Sequence, residues 1–179
     1  SRDWSSDVCS SDLSLRVPLV YVNQVGANDE ILFDGGSFAA DAKGGIIARL
    51  PLFSSGFSVV SVEQGGAPAQ LVAPPEEMEV LHRGLVRGIH DYFDRTGFRS
   101  AVIGLSGGID SALVAVLASE ALGPERILGV AMPSQYSSAH SLADAEASAQ
   151  ALGIRFEVRP IKFLFSAANR ELGEGRGGL

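Results

Sequence analysis

Apolar and polar positions change their rhythm near the middle of the chain. Up to residue 62 the apolar runs are short and broken by turn residues. Pro18–Gln24 predicts a buried strand, Val25–Glu30 a turn, Ile31–Phe33 a short strand and Asp34-Gly35-Gly36 a second turn. Ser37–Asp41 and Gly45–Phe53 predict a hairpin closed by Ala42-Lys43-Gly44, and Phe57–Val62 one more strand. The strict alternation of a one-sided sheet is missing, so this sheet is expected to be covered on both faces. Residues 63–75, rich in Gly, Pro and Ala, read as a linker and domain boundary.

The rhythm then becomes helical. Pro75 suits a first turn, and Glu76, Glu77 and Glu79 favour a helix N-terminus. Met78, Leu81, Leu85, Ile89 and Tyr92/Phe93 recur every three or four residues, which predicts one apolar face over 75–97 and a stop at Gly97. His82 and His90 have no partner at metal-ligand spacing and read as surface or packing residues. Asp91 and Asp94 read as solvated. From residue 100 strands and helices alternate: strand Ser100–Leu105, helix Ile109–Leu122 ended by Gly123-Pro124, strand Arg126–Met132, a helix from Ser138 or Ser141 to Leu152, strand Arg155–Val158, and a helix over Phe163–Leu172. Ser141 and Asp144 have the spacing of a capping box. Such alternation predicts a parallel sheet flanked by helices, with ligands gathering at the C-terminal strand ends. The loops after Leu105 and Met132 should therefore share one rim.

Composition narrows the class. The 179 residues are 46% hydrophobic and 20% charged, enough apolar content for a real core. The net charge of −7 argues against a nucleic-acid binder. The single cysteine, Cys9, excludes an internal disulfide and agrees with a reducing, cytoplasmic setting. No apolar run approaches a membrane span, and no secretory signal pattern opens the chain. Residues 1–13, which hold Trp4 and Cys9 and repeat Ser-Ser-Asp, match nothing downstream and read as a non-native scar.

The chemistry concentrates in Gly104-Leu105-Ser106-Gly107-Gly108-Ile109-Asp110-Ser111. A strand empties through adjacent glycines into a helix, where backbone can approach an anion and helix N–H groups can meet it. Ser106 and Ser111 add hydroxyls, and Asp110 adds a carboxylate suited to Mg²⁺. The loop lacks the Lys of the Gly-x-x-x-x-Gly-Lys-Ser/Thr motif, and its glycine spacing fails the dinucleotide fingerprint. Ser-Gly-Gly-x-Asp-Ser, residues 106–111, instead resembles the PP-loop of N-type ATP pyrophosphatases. That resemblance implies a loop holding the β,γ-pyrophosphate of ATP while AMP passes to an acceptor. It leaves the acceptor open, because asparagine, GMP, argininosuccinate and tRNA-thiolation enzymes share the motif.

The flanks narrow the acceptor. Met132-Pro133-Ser134-Gln135-Tyr136-Ser137-Ser138, Ser141, Asp144-Ala145 and Leu152-Gly153-Ile154 look like the same region of NAD⁺ synthetases. Tyr21–Gly26, Asn28–Glu30 and Phe33–Ser37 look like the closing strands of a nitrilase-type glutaminase domain. Together they resemble the glutamine-dependent NAD⁺ synthetase family over about residues 16–165. The fold this implies is α/β: the C-terminal end of a nitrilase-type αββα sandwich (14–62), the linker (63–75), and the start of a parallel-sheet adenine-nucleotide α-hydrolase-like domain (76–179). The function it implies is ATP-dependent amidation of deamido-NAD⁺ with glutamine-derived ammonia through an adenylate, releasing AMP and pyrophosphate. Gly104 to Ser111 would hold ATP, with Asp110 a Mg²⁺ ligand and the Met132 strand end a candidate rest for adenosine. Ser137, Ser138 and His140 read as helix-start residues, and Asn23, Asp29 and Asp34 as turn and wall residues. The family's glutaminase Glu, Lys and Cys have no match here, so no catalytic residue is assigned. The chain is expected to be an internal piece of a homo-oligomeric parent, incomplete as an enzyme alone. Other expectations kept open are a tRNA-modifying sulfur transferase and a non-catalytic nucleotide-binding module.

Overall fold

The computed structural model describes residues 16–61, 70–71, 75–135 and 137–173. The Ser/Asp-rich start with Trp4 and Cys9, nearly all of the expected linker, and Tyr136 lie outside the described residues. The chain divides into two compact units, Ser1–Tyr92 and Phe93–Leu179.

In the first unit, β1 (Leu19–Tyr21), β4 (Phe38–Ala40), β5 (Ile46–Arg49) and β6 (Gln70–Leu71) form one sheet in the order β1-β4-β5-β6. Its pairs are antiparallel except β5 with β6. The expected β4–β5 hairpin is present. The Asp41 carboxylate closes it by accepting the Lys43 and Gly45 N–H groups, both at 2.8 Å. Those two donors, Gly45 first, hold the Asp41 carboxyl below its usual range. Ala39 and Ala40 are both buried, and so are Ile47 and Ala48. Neighbouring strand residues point to opposite faces, so the middle of this sheet is covered on both.

Three expectations here are corrected. The strand expected to be buried over Pro18–Gln24 is only Leu19–Tyr21, and its Val20 and Tyr21 are exposed. Val25–Glu30 is not a turn. Val25–Asn28 is β2, paired antiparallel with β3 (Ile31–Asp34) in a separate hairpin. Asn28 faces Ile31, which leaves only Asp29 and Glu30 to turn. Asp29 takes φ +54°, a left-handed conformation that Asp tolerates better than most residues. The strand expected at Phe57–Val62 is absent over 57–61, where no pairing forms among the described residues. Phe57 and Val59 are 89% and 85% exposed there.

Helix α1 (Glu77–Thr96) forms where expected, with Gly97 at φ +75° just beyond its end. Its expected apolar face is only partly covered: Ile89 and Phe93 are half-buried, and Phe93 meets Phe98 edge-on. Met78, Leu81, Leu85 and Tyr92 are exposed, while Gly84 and Asp91 are buried. Gly84 admits the side chains of Leu32 and Phe53, which would stand 3.2 and 3.4 Å from a Cβ at that position. Asp91, expected in solvent, instead accepts the Ala27 N–H at 2.8 Å and pairs with Arg87 Nε at 2.8 Å. His90 Nδ1 lies 3.1 Å from its other oxygen. Burial pushes the Asp91 carboxyl up, but the bonds from Arg87, Ala27 and His90 outweigh it and hold the group below its usual range.

In the second unit, β7 (Ala101–Gly104), β8 (Ile127–Ala131) and β9 (Arg155–Val158) form a parallel sheet in sequence order. Helix α2 (Ile109–Leu122) links the first two strands, α3 (Ala139–Leu152) links the second pair, and α4 (Lys162–Gly173) follows. This is the alternation read from the sequence. A 3-10 turn at Pro124–Arg126 delays β8 by one residue. Arg126 then donates to the Arg99 and Phe98 carbonyls at 2.6 and 3.0 Å, tying this turn to the approach to β7. Ile127 is fully buried at the centre, and most of the rest of the core is small: Ala115, Ala118, Ala121, Ala131, Ala145 and Ala149. The N-cap of α3 is Ser138 rather than Ser141. Its side chain accepts the Ser141 N–H at 3.1 Å, so Ser141 is the third helical residue and not the cap. No described helix is long and apolar enough to cross a membrane.

Candidate functional site

The loop after β7 is built on a buried floor. Leu105 is 4% exposed, and its N–H bonds to the Val130 carbonyl at 2.9 Å, extending the ladder one residue past the strand. Its side chain fills the space beside Gly129, where a Cβ would come within 2.7 Å of Leu105 Cδ1. Leu105 thus offers the site only backbone, and Ile109 points into solvent at 83% exposure.

Above that floor the two serines hold the turn. Ser106 N–H donates to Ser111 Oγ at 3.2 Å, the two hydroxyls lie 3.0 Å apart, and Ser111 Oγ donates to the Gly108 carbonyl at 2.9 Å. Gly108 N–H donates to Ser106 Oγ at 3.2 Å. Gly108 is also the N-cap of α2 and brings no capping side chain, so the helix start is left to an incoming oxygen. Asp110 is exposed in the first turn of α2. The eight residues singled out in the sequence are therefore brought together, with backbone, two hydroxyls and one carboxylate available.

The two strand ends do share a rim. A cleft of about 230 Å³ is lined by Gly104, Leu105 and Ser106 on one side, and by Met132, Ser137 and Ser141 among others on the second. Met132 is 51% exposed, so it belongs to the cleft wall and not to the core. Its Cε would lie 3.4 Å from a Cβ on Gly104. Ser137 closes a turn by accepting the Ser134 N–H at 2.9 Å, Ser138 caps α3, and His140 is exposed in the first turn of that helix. All three are helix-start residues, as the sequence suggested. Ser141 and Leu142 as lining residues were missed, although the rule that ligands meet strand C-termini points to that side of the rim.

Among the described residues no group of three or more His, Cys, Asp or Glu could hold a metal. Asp110 is one hard oxygen donor. Mg²⁺ is commonly held by one or two carboxylates together with substrate phosphates, so a lone Asp beside a phosphate loop fits that ion. Ser111→Ala removes the acceptor of the Ser106 N–H and the donor to Gly108. At about 0.5–1.5 kcal/mol for each bond, the turn is expected to loosen by about tenfold, measurable as faster amide hydrogen exchange over residues 104–111.

A parallel sheet with a Gly- and Ser-rich strand–loop–helix unit at its C-terminal rim is an α/β domain laid out to take a ligand at that rim. The profile of the NAD synthase family matches residues 81–177, and the chain belongs to that family. It is 50% identical over 150 residues to the glutamine-dependent NAD(+) synthetase of Synechocystis sp., covering 82% of this chain and 27% of that protein. The enzyme of the same name from Rhodobacter capsulatus is 44% identical over 151 residues, with the same two coverages. Among solved structures, glutamine-dependent NAD+ synthetase from Acinetobacter baumannii, in complex with ADP, superposes with a TM-score of 0.90 at 32% identity. That match covers 97% of this chain and 34% of the solved one. The chain thus spans about a third or less of the length of these relatives.

Proposed function

We propose that this chain carries the ATP-binding start of the synthetase domain of a glutamine-dependent NAD⁺ synthetase, preceded by the last strands of a nitrilase-type glutaminase domain. The reaction is ligation. The nicotinate carboxylate of deamido-NAD⁺ attacks the α-phosphorus of ATP, pyrophosphate leaves, and glutamine-derived ammonia displaces AMP to give the amide. Residues 104–111 hold the pyrophosphate through the loop backbone, the Ser106 and Ser111 hydroxyls and the α2 start. Leaving-group charge is what such fixed donors stabilise best. Asp110 holds Mg²⁺, which offsets phosphate charge when bound. The cleft between Gly104 and Met132 takes the adenosine half of ATP. The antiparallel sheet of residues 19–49 and the β2–β3 hairpin supply the wall of the glutaminase domain. The parent acts as a soluble cytoplasmic homo-oligomer.

The observation that carries this reading is the loop itself: a Ser-Gly-Gly-x-Asp-Ser turn, cross-braced by its own serines, at the rim of a parallel sheet in a chain of this family. The family match sets aside the tRNA-modifying sulfur transferases, which the loop alone left open. The test is exchange of labelled pyrophosphate into ATP by the whole reading frame containing this chain. Exchange should require deamido-NAD⁺ and Mg²⁺, and Asp110→Asn should reduce it by on the order of a hundredfold, the scale of losing one transition-state charge contact. Exchange that proceeds equally well without deamido-NAD⁺ would sink the assignment.

A further inference from the structure

The phosphate loop is not held only by its own serines. Gly107, at its apex, takes φ +78° and lies against the first turn of α3. A Cβ on Gly107 would stand 2.2 Å from the Ser141 carbonyl oxygen and 2.7 Å from its Cα. This is backbone against backbone, so the position of Ser141 sets how far the apex can rise. Ser141, inside the first turn of that helix, is held in turn by the cap. Its N–H donates to Ser138 Oγ at 3.1 Å, and the Ser138 and Ser141 hydroxyls lie 2.9 Å apart. Helix N-terminal turns fray unless such a cap holds them. The apex and the α3 start also border the same cleft, through Ser106 and Ser141.

From this chain of contacts we infer that Ser138 is a positioning residue for the phosphate loop: by capping α3 it holds the Ser141 backbone against Gly107 and so fixes the height of the loop. Ser138 itself does not line the cleft. Its part is played through main chain, so any side chain that caps a helix should replace it. A residue that contacted phosphate directly would not tolerate a carboxylate in its place.

The experiment compares Ser138→Ala with Ser138→Thr and Ser138→Asp in the full chain, using two readouts. The first is amide hydrogen exchange over residues 104–111, which needs no ligand. Ser138→Ala should speed exchange there by about fivefold, the size of a lost N-cap, while the β8 segment 127–131 is unchanged. Thr and Asp should restore the slow rate. The second readout rests on the nucleotide reading above: ATP affinity with Mg²⁺ should fall by a similar factor in Ser138→Ala and return in Thr and Asp. Faster exchange confined to 139–145 would overturn the inference, since the cap would then serve α3 alone. Restored exchange with lost affinity in Ser138→Asp would also overturn it, by showing that the side chain meets the nucleotide. If the unmodified chain binds no ATP, the nucleotide reading fails, and loop exchange still decides the role of Ser138.

Discussion

A Gly107→Ala protein is expected to keep its parallel sheet and to lose nucleotide binding by about a hundredfold. Two costs add at this position. Left-handed backbone in a non-Gly residue costs about 1–3 kcal/mol, and Gly107 has φ +78°. The new Cβ must also displace the Ser141 main chain from 2.2 Å, which no side-chain rotation can relieve. The loop therefore rises or α3 backs away, and either movement separates the Ser106 hydroxyl from the helix start. At about 1.4 kcal/mol per tenfold, the strain alone reaches most of the stated loss. Titration with ATP and Mg²⁺ reads the affinity, and circular dichroism reads the fold. Binding within threefold of the unmodified chain would show that the loop does not need this contact. Gly108→Ala is the natural contrast. Gly108 has φ −90° and its nearest clash is the Ser106 hydroxyl at 3.3 Å, so a milder effect is expected.

The second large effect is expected at Asp91. Its carboxylate is buried and receives the Ala27 N–H and the Arg87 guanidinium. Asp91→Ala leaves the amide without its acceptor and Arg87 without its counter-charge. Orphaning a buried donor costs about 1–3 kcal/mol. Arg87 is one-third exposed, so water recovers part of its loss. A net destabilisation of about 2 kcal/mol is expected, read as a lower urea midpoint with an unchanged slope. The pH dependence has a defined sign. The folded carboxyl lies below its usual range, so its contribution is full above the unfolded-state value. It is lost as pH falls through the folded value. Asp41 is also held below its usual range, so the Asp91 share of this acid limb is the difference between the unmodified and Asp91→Asn proteins. Asp91→Asn should flatten stability against pH below about 4; an unchanged acid limb in that variant would contradict the assignment.

Much of the second unit was legible from local signals. Gly123, Gly153 and the apolar runs between them mark α2, α3 and β9 almost to the residue, because glycine at a helix end and a change of period are signals of adjacent positions. The strand–turn–helix unit over residues 101–122 was legible for the same reason, its signals being contiguous. Legibility failed where the deciding partner lies far along the chain. β2 reads Val-Gly-Ala-Asn, which has little strand propensity, and its pairing with Ile31–Asp34 overrides that. Asp91 looks like any polar helix residue, and only the Ala27 amide, 64 positions away, makes it a buried anchor. The periodic residues of α1 define an apolar stripe, yet Gly84 has no side chain to announce that the backbone of that face is the part that packs. The start of α3 was left between Ser138 and Ser141, and the Ser138 hydroxyl settles it by accepting the Ser141 N–H.

The alanine-rich core of α2 and α3 leaves a particular inheritance. Ala115 and Ala149 have no exposed surface and Ala145 only 1%, so each is already the smallest residue that still favours a helix. Drift at these positions can go in only two directions. Glycine weakens the helix by about 1 kcal/mol, and anything larger pushes apart the two helices whose starts flank the phosphate loop. Such positions have almost no neutral neighbours in sequence space.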